Sequence, residues 1–195
     1  MCKIVYLTNR CFDRASINFR DALAQELRSR EVDGKSVEVV TSSSCRIKQY
    51  FIEHKTYGIA IAIDFFNDGG DGCGLTLNKK CSFISRDFAY NLSNTLDLLT
   101  PSIRWRDFKF VDSYDKEWYK FFNKISASTK AILYLCTKNN RNDWENYQLA
   151  FNALVKGFAD EIIRCLRSNY DYDKYTQSSK LAKLRARRMK QHGMD

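Results

Sequence analysis

Residues 57–68, Tyr-Gly-Ile-Ala-Ile-Ala-Ile-Asp-Phe-Phe-Asn-Asp, restrict the folds open to this chain more than any other stretch. Ile59, Ile61 and Ile63 alternate with Ala60 and Ala62, so neither face of an extended segment here is polar. A strand apolar on both faces belongs inside a sheet covered on both sides, as in α/β proteins. The run stops at Asp64, and the turn-forming Asp68-Gly69-Gly70-Asp71-Gly72 follows Phe65, Phe66 and Asn67. In open α/β sheets, ligands bind outside the carboxyl ends of the strands. Asp64 therefore stands where a functional residue would stand.

The rest of the chain alternates strands and helices around that segment. Lys3–Thr8 reads as a first strand, followed by the loop Asn9–Arg14 and a helix from Ser16 to Arg30 with Phe19, Leu23 and Leu27 on its inner face. Asp33-Gly34 makes a turn, Ser36–Thr41 a second strand, and Ser42 to His54 a helix carrying Ile47, Tyr50 and Phe51. After the glycine turn come a short strand at Gly74–Leu77 and a helix at Ser82–Leu98 with Ile84, Phe88, Leu92 and Leu96 in register. Ile103–Val111 reads as a loop or edge strand, Tyr114–Ile125 as a short aromatic helix and Lys130–Cys136 as a buried strand. Trp144–Leu166 is the last long helix, with Leu149, Ala153, Leu154, Phe158, Ile162 and Leu166 turned inward. This alternation predicts an α/β three-layer sandwich, a mostly parallel sheet flanked by helices. The boundaries expected are an α/β domain over 1–167 and a polar linker with a basic helix or tail over 168–195.

Charge and cysteine use narrow the function classes. Of the net charge of +9, the last twenty residues hold +5 through Lys180, Lys183, Arg185, Arg187, Arg188 and Lys190 against Asp195. Such a cluster suits salt-sensitive, sequence-independent contact with phosphates, or is simply a solvated tail. The seven cysteines contain no C-x-x-C pair, and only His54 and His192 could add imidazole ligands, which argues against a zinc knuckle. Most of them read as small buried residues of a reducing compartment. No signal-peptide core is visible at the amino terminus, and no apolar run reaches the ~20 residues that crossing a bilayer takes. The expectation is a cytoplasmic protein without a membrane partner.

Five segments carry a resemblance: Leu7-Thr-Asn-Arg10, Arg14-Ala-Ser-Ile-Asn18, Ala62-Ile-Asp-Phe-Phe66, Arg104-Trp-Arg-Asp-Phe108 and Leu133-Tyr-Leu-Cys-Thr-Lys-Asn-Asn140. In order and spacing, residues 3–166 resemble the catalytic domain of zinc-dependent N-acetylmuramoyl-L-alanine amidases of the cell-wall and phage-lysin type. The resemblance implies an amidase-like fold with a metal held at the carboxyl ends of the strands. In that family two imidazoles and a carboxylate hold Zn²⁺, and a separate Glu moves the proton. Here the first His position falls on Asn9, the Glu ligand on Arg14 (or Ala15), the second His on Asp64 and the proton-transfer Glu on Tyr134. Asn is a feeble zinc ligand, Arg repels the metal, and Tyr with an unperturbed pKa of ~10 is a poor base near neutrality. The resemblance is to the scaffold, with neither metal nor cofactor expected.

Other patterns point to binding or to ordinary packing. Asp64, Asp68 and Asp71 suggest a hard-cation site or, as the plainer explanation, a solvated turn. An Asp64–Arg14 ion pair across the former metal position is the physical expectation for a buried carboxylate. The glycine-rich stretch 69–74 lacks the Lys-Ser/Thr of a P-loop. Trp105, Phe108, Phe110, Tyr114, Trp118, Tyr119, Phe121 and Phe122, interleaved with lysines, divide between core packing and a recognition surface, with Trp105 and Trp118 as its candidates. These readings converge on a non-catalytic protein that binds a protein or protein–nucleic-acid partner, such as a phage or mobile-element inhibitor of a CRISPR-like defence. The alternatives are a peptidoglycan-hydrolysing amidase and a general nucleic-acid binder working through the tail.

Overall fold

A computed structural model of the chain describes residues 4–43, 57–112 and 118–167. The central run does form a strand, and it organises the sheet. Strand β1 (Ile4–Asn9) leads into helix α1 (Arg14–Arg28). A two-residue hairpin, β2 (Glu31–Val32) and β3 (Lys35–Ser36), follows, turned by Asp33 and Gly34 at φ of 50° and 72°. Next come β4 (Glu38–Thr41), β5 (Tyr57–Phe66), β6 (Cys73–Asn78) and helix α2 (Phe83–Leu99). Strand β7 (Trp105–Val111), the short α3 (Tyr119–Lys124), β8 (Ala127–Thr137) and the 27-residue α4 (Arg141–Arg167) complete the order. The six-stranded sheet runs β4-β1-β5-β8-β6-β7. Every pairing is parallel except β6 with β8, so the architecture is a mixed, mostly parallel sheet flanked by helices. One consequence positions the site. The carboxyl ends of β1, β4, β5 and β8 share an edge with the amino ends of β6 and β7.

The two faces of β5 are fitted to different neighbours. Ile59, Ile61 and Ile63 share a core with Phe19 and Leu23 of α1, Phe88 and Leu92 of α2, and Leu154 and Phe158 of α4. Each such buried aliphatic or aromatic side chain contributes roughly 1.5–3 kcal/mol. Ala60 and Ala62 face the other way, into a second core with Tyr6, Trp118, Phe121, Phe122 and Ile132. Small residues on that face leave room for the rings.

Two elements depart from the expected pattern. Helix α1 begins at Arg14 with Asp13 as its cap residue, not at Ser16, whose hydroxyl donates to the Asp13 carbonyl at 3.0 Å. Leu149 is not on the inner side of α4; it is 87 % exposed, and Ala153 is exposed too. Five residues before Leu154, Leu149 lies roughly 140° around the helix from it. Tyr147 and Phe151 fill that side instead. The helix expected over 42–54, including His54, lies outside the described residues apart from Ser42 and Ser43. So does all of 168–195, including Lys180, Lys183, Arg185, Arg187, Arg188, Lys190 and His192. No described helix is long and apolar enough to cross a membrane.

Candidate functional site

The carboxyl edge of the sheet brings together side chains that sequence spacing could only place on separate strands. Asp64 is fully buried, and its register partner on β8 is Tyr134, so both project from the second face of the sheet. Asn9 is the partner of Ile63 and belongs to the first face. Its amide oxygen accepts from Arg20 of α1 at 2.6 Å, and the same guanidinium donates to the Ser42 carbonyl at 2.8 Å. Asn9 and Asp64, one residue out of phase across paired strands, therefore have separate partners on opposite sides of the sheet.

The cation on Asp64 is Arg10, a correction to the expected pairing with Arg14. Arg10 Nε donates to Asp64 Oδ2 at 2.9 Å and a terminal nitrogen lies 2.8 Å from the same oxygen. The Phe65 backbone N–H donates to Oδ1 at 2.8 Å. Arg10 directly follows β1 on the Asp64 side, whereas Arg14 has already entered α1 and borders a cleft with Trp144. Burial nevertheless raises the Asp64 carboxyl to about 6, the Phe65 N–H and Arg10 offsetting only part of the desolvation.

Asp68 and Asp71 do not join Asp64 around a common centre. Asp68 is gripped by both terminal nitrogens of Arg106, one at 2.9 Å, which pulls its carboxyl down to about 2. Asp71 pairs with Arg104 at 3.3 Å. Each of the three carboxylates has its own arginine. Among the described residues no group of three or more His, Cys, Asp or Glu side chains could hold a metal ion. With an ion-paired carboxylate, an amide bonded to arginine and a distant guanidinium, the donors at the family's metal positions do not fit zinc.

The position aligned with the family's proton-transfer Glu is part of a ring stack. Tyr134 lies against Phe66 at 4.4 Å between ring centroids and 5° between planes. Arg106 covers the Phe66 ring at 4.2 Å. Trp118 is 4 % exposed and its indole N–H donates to the Tyr134 hydroxyl at 3.2 Å. Trp118 thus belongs to the packed half of the aromatic set, and Trp105 is partly buried against the main core. Arg10, Arg104 and Arg106 were the residues missed. The signal in the sequence was an arginine just past the end of β1 and two at the start of β7.

The β1–α1 loop carries one fully exposed ring. Phe12 is 96 % exposed at a φ of 62°, a left-handed conformation that costs an L-residue roughly 1–2 kcal/mol. Phe12→Asn is expected to raise stability by about 0.5–1 kcal/mol in urea unfolding, since asparagine tolerates this region and no packing is lost. An unchanged midpoint would show that the loop carries no strain. Cys11, beside it, is disulfide-bonded, an exception to the reading of most cysteines as small residues of a reducing compartment. Cys73, Cys136 and Cys165 are buried free thiols, and burial pushes Cys73 up to about 12.

No protein-family model matches the chain, and no curated protein matches it in sequence. Solved structures do. An N-acetylmuramoyl-L-alanine amidase from Clostridium difficile 630 superposes with a TM-score of 0.55 at 10 % identity, over 91 % of this chain and 99 % of that one. The catalytic domain of the CD27L endolysin, which targets Clostridia difficile, gives 0.58 at 13 %, over 84 % and 96 %. The N-acetylmuramoyl-L-alanine amidase AmiC2 of Nostoc punctiforme gives 0.55 at 14 %, over 90 % and 98 %. At these identities the likeness is one of fold: this is an amidase-like α/β scaffold.

Proposed function

We propose that this chain is a non-catalytic protein on an amidase-like scaffold that acts by binding a protein or protein–nucleic-acid partner. The observation that carries the proposal is the Arg10–Asp64 ion pair. It places a guanidinium against the one carboxylate at the family's metal positions, and a cation there opposes Zn²⁺. Tyr134, stacked on Phe66 at the proton-transfer position, supports the same conclusion. The net charge of +9 and the cations at 180–190 favour an anionic or nucleic-acid-bearing partner. The finer form of the proposal is an inhibitor, encoded by a phage or mobile element, of a CRISPR-like defence.

The deciding experiment supplies the purified full chain with zinc and peptidoglycan. Far less than one zinc per chain and no release of peptide are expected. Stoichiometric zinc, with hydrolysis abolished by Asp64→Ala, would establish the amidase instead. Capture from the native host, with and without residues 176–195, then separates a partner held by the α/β body from contacts made by the tail alone. The finer form is tested by survival of a targeted plasmid when the chain is expressed beside an active interference system.

A further inference from the structure

Between α1 and the first turns of α4 lies a cleft of about 630 Å³, on the opposite side of the sheet from Asp64. We infer that it is a binding site for a nucleoside phosphate, free or at the end of a single strand. The inference goes beyond the proposed function and does not depend on it, because the cleft is present whether or not the Arg10–Asp64 edge is catalytic.

Its lining is suited to an anionic, planar ligand. Arg14 and Lys138 supply positive charge, Asn18, Gln148 and Asn152 supply amides, and Trp144 and Phe151 supply partly buried rings. No carboxylate lines it. Lys138 is already paired with Asp13 at 2.6 Å, whereas Arg14 makes no side-chain hydrogen bond or ion pair among the described residues. The volume is in the range of small-molecule sites. Rings stack on any base, and amides can meet a base edge.

Two features of the cleft suit a ligand. Tyr147 borders it at 3 % exposed, and its hydroxyl makes no hydrogen bond among the described residues and is not sealed from solvent, so it is free to meet a polar atom in the cleft. At the same end, α1 lacks a side-chain cap, because the carboxylate of its cap residue Asp13 is committed to Lys138. Arg14 and Ala15, whose N–H groups open this helix, both border the cleft. Uncapped amides beside a free guanidinium favour phosphate.

Calorimetric titration of the full chain with AMP, adenosine, inorganic phosphate, muramyl dipeptide and a 5′-phosphorylated oligo(dT) tests the site. AMP is expected to saturate it and adenosine to bind about tenfold more weakly. Arg14→Gln should reduce AMP affinity to the adenosine level without changing adenosine binding or thermal stability, since Arg14 is exposed. Phe151→Leu should weaken both. An oligonucleotide that binds more tightly than AMP, with the excess lost in Arg14→Gln, identifies a strand end as the source; equal affinity identifies the free nucleotide. The inference fails if AMP does not saturate, if Arg14→Gln leaves AMP binding intact, or if muramyl dipeptide alone binds.

Discussion

Gly72→Ala is expected to cost about 3 kcal/mol or more of folding stability. Gly72 has a φ of 111°, and a Cβ there would lie 2.3 Å from the Arg104 carbonyl oxygen and 2.9 Å from Arg106 Cγ. The backbone cannot withdraw cheaply. The Gly72 N–H donates to the buried Asp143 carboxylate, its carbonyl accepts from the Thr137 hydroxyl at 3.1 Å, and the next N–H donates to the Arg104 carbonyl at 2.8 Å. Gly69 is the internal control, because its φ of 74° is as unusual but a Cβ would meet nothing within 4 Å. Gly69→Ala should cost only about 1 kcal/mol. Urea unfolding of both variants reads the difference, and equal losses would refute the steric argument. If Gly72→Ala does not accumulate, Asp143→Asn reports on the same junction. It should lose about 1–2 kcal/mol by weakening the acceptor shared by Gly72 and Thr137.

The second large effect is a pH-dependent one at Asp64. A carboxyl held at about 6 in the folded state against 3.8 for the unperturbed group binds its proton more readily folded than unfolded. Its contribution to stability is greatest below about pH 4, declines as pH rises from about 4 to 6, and is constant above. The decline amounts to about 3 kcal/mol at most. Arg10→Ala removes the cation that holds the carboxyl down, so the Asp64 carboxyl should rise further above 6. The cost of Arg10→Ala should therefore be slight at pH 4.5, where folded Asp64 is protonated. It should grow to about 1–2 kcal/mol at pH 8, below the usual value for a broken buried pair because Arg10 is 40 % exposed. Denaturation midpoints of both proteins at the two pH values, with NMR titration of Asp64, provide the measurement. A penalty independent of pH would mean that Arg10 acts through packing alone.

Much of the fold was legible because it is written in local periodicity. Ile59, Ile61 and Ile63 require a doubly covered strand whatever surrounds them, and β5 spans Tyr57–Phe66 as that pattern demands. Phe88, Leu92 and Leu96 recur at a helical period, and α2 buries all three. Leu149 shows where periodicity misleads: an apolar residue near the stripe is not necessarily on it. At the candidate site, Asp64 was identified as the residue where the apolar run stops, but Arg14 was expected as its partner and Trp118 was a candidate for a recognition surface.

Residue order by itself determined which segments are strands and helices, and that a carboxylate ends the central strand, since both depend on neighbours a few positions away. Pairing between distant segments was decided only when the sheet assembled. The order β4-β1-β5-β8-β6-β7 puts Arg10 beside Asp64, Arg106 over Phe66 and Trp118 on Tyr134. Those contacts join residues 16 to 54 positions apart, and no local pattern encodes them. Register settled the rest: a shift of one residue between paired strands turns a side chain to the opposite face, and that separates Asn9 from Asp64.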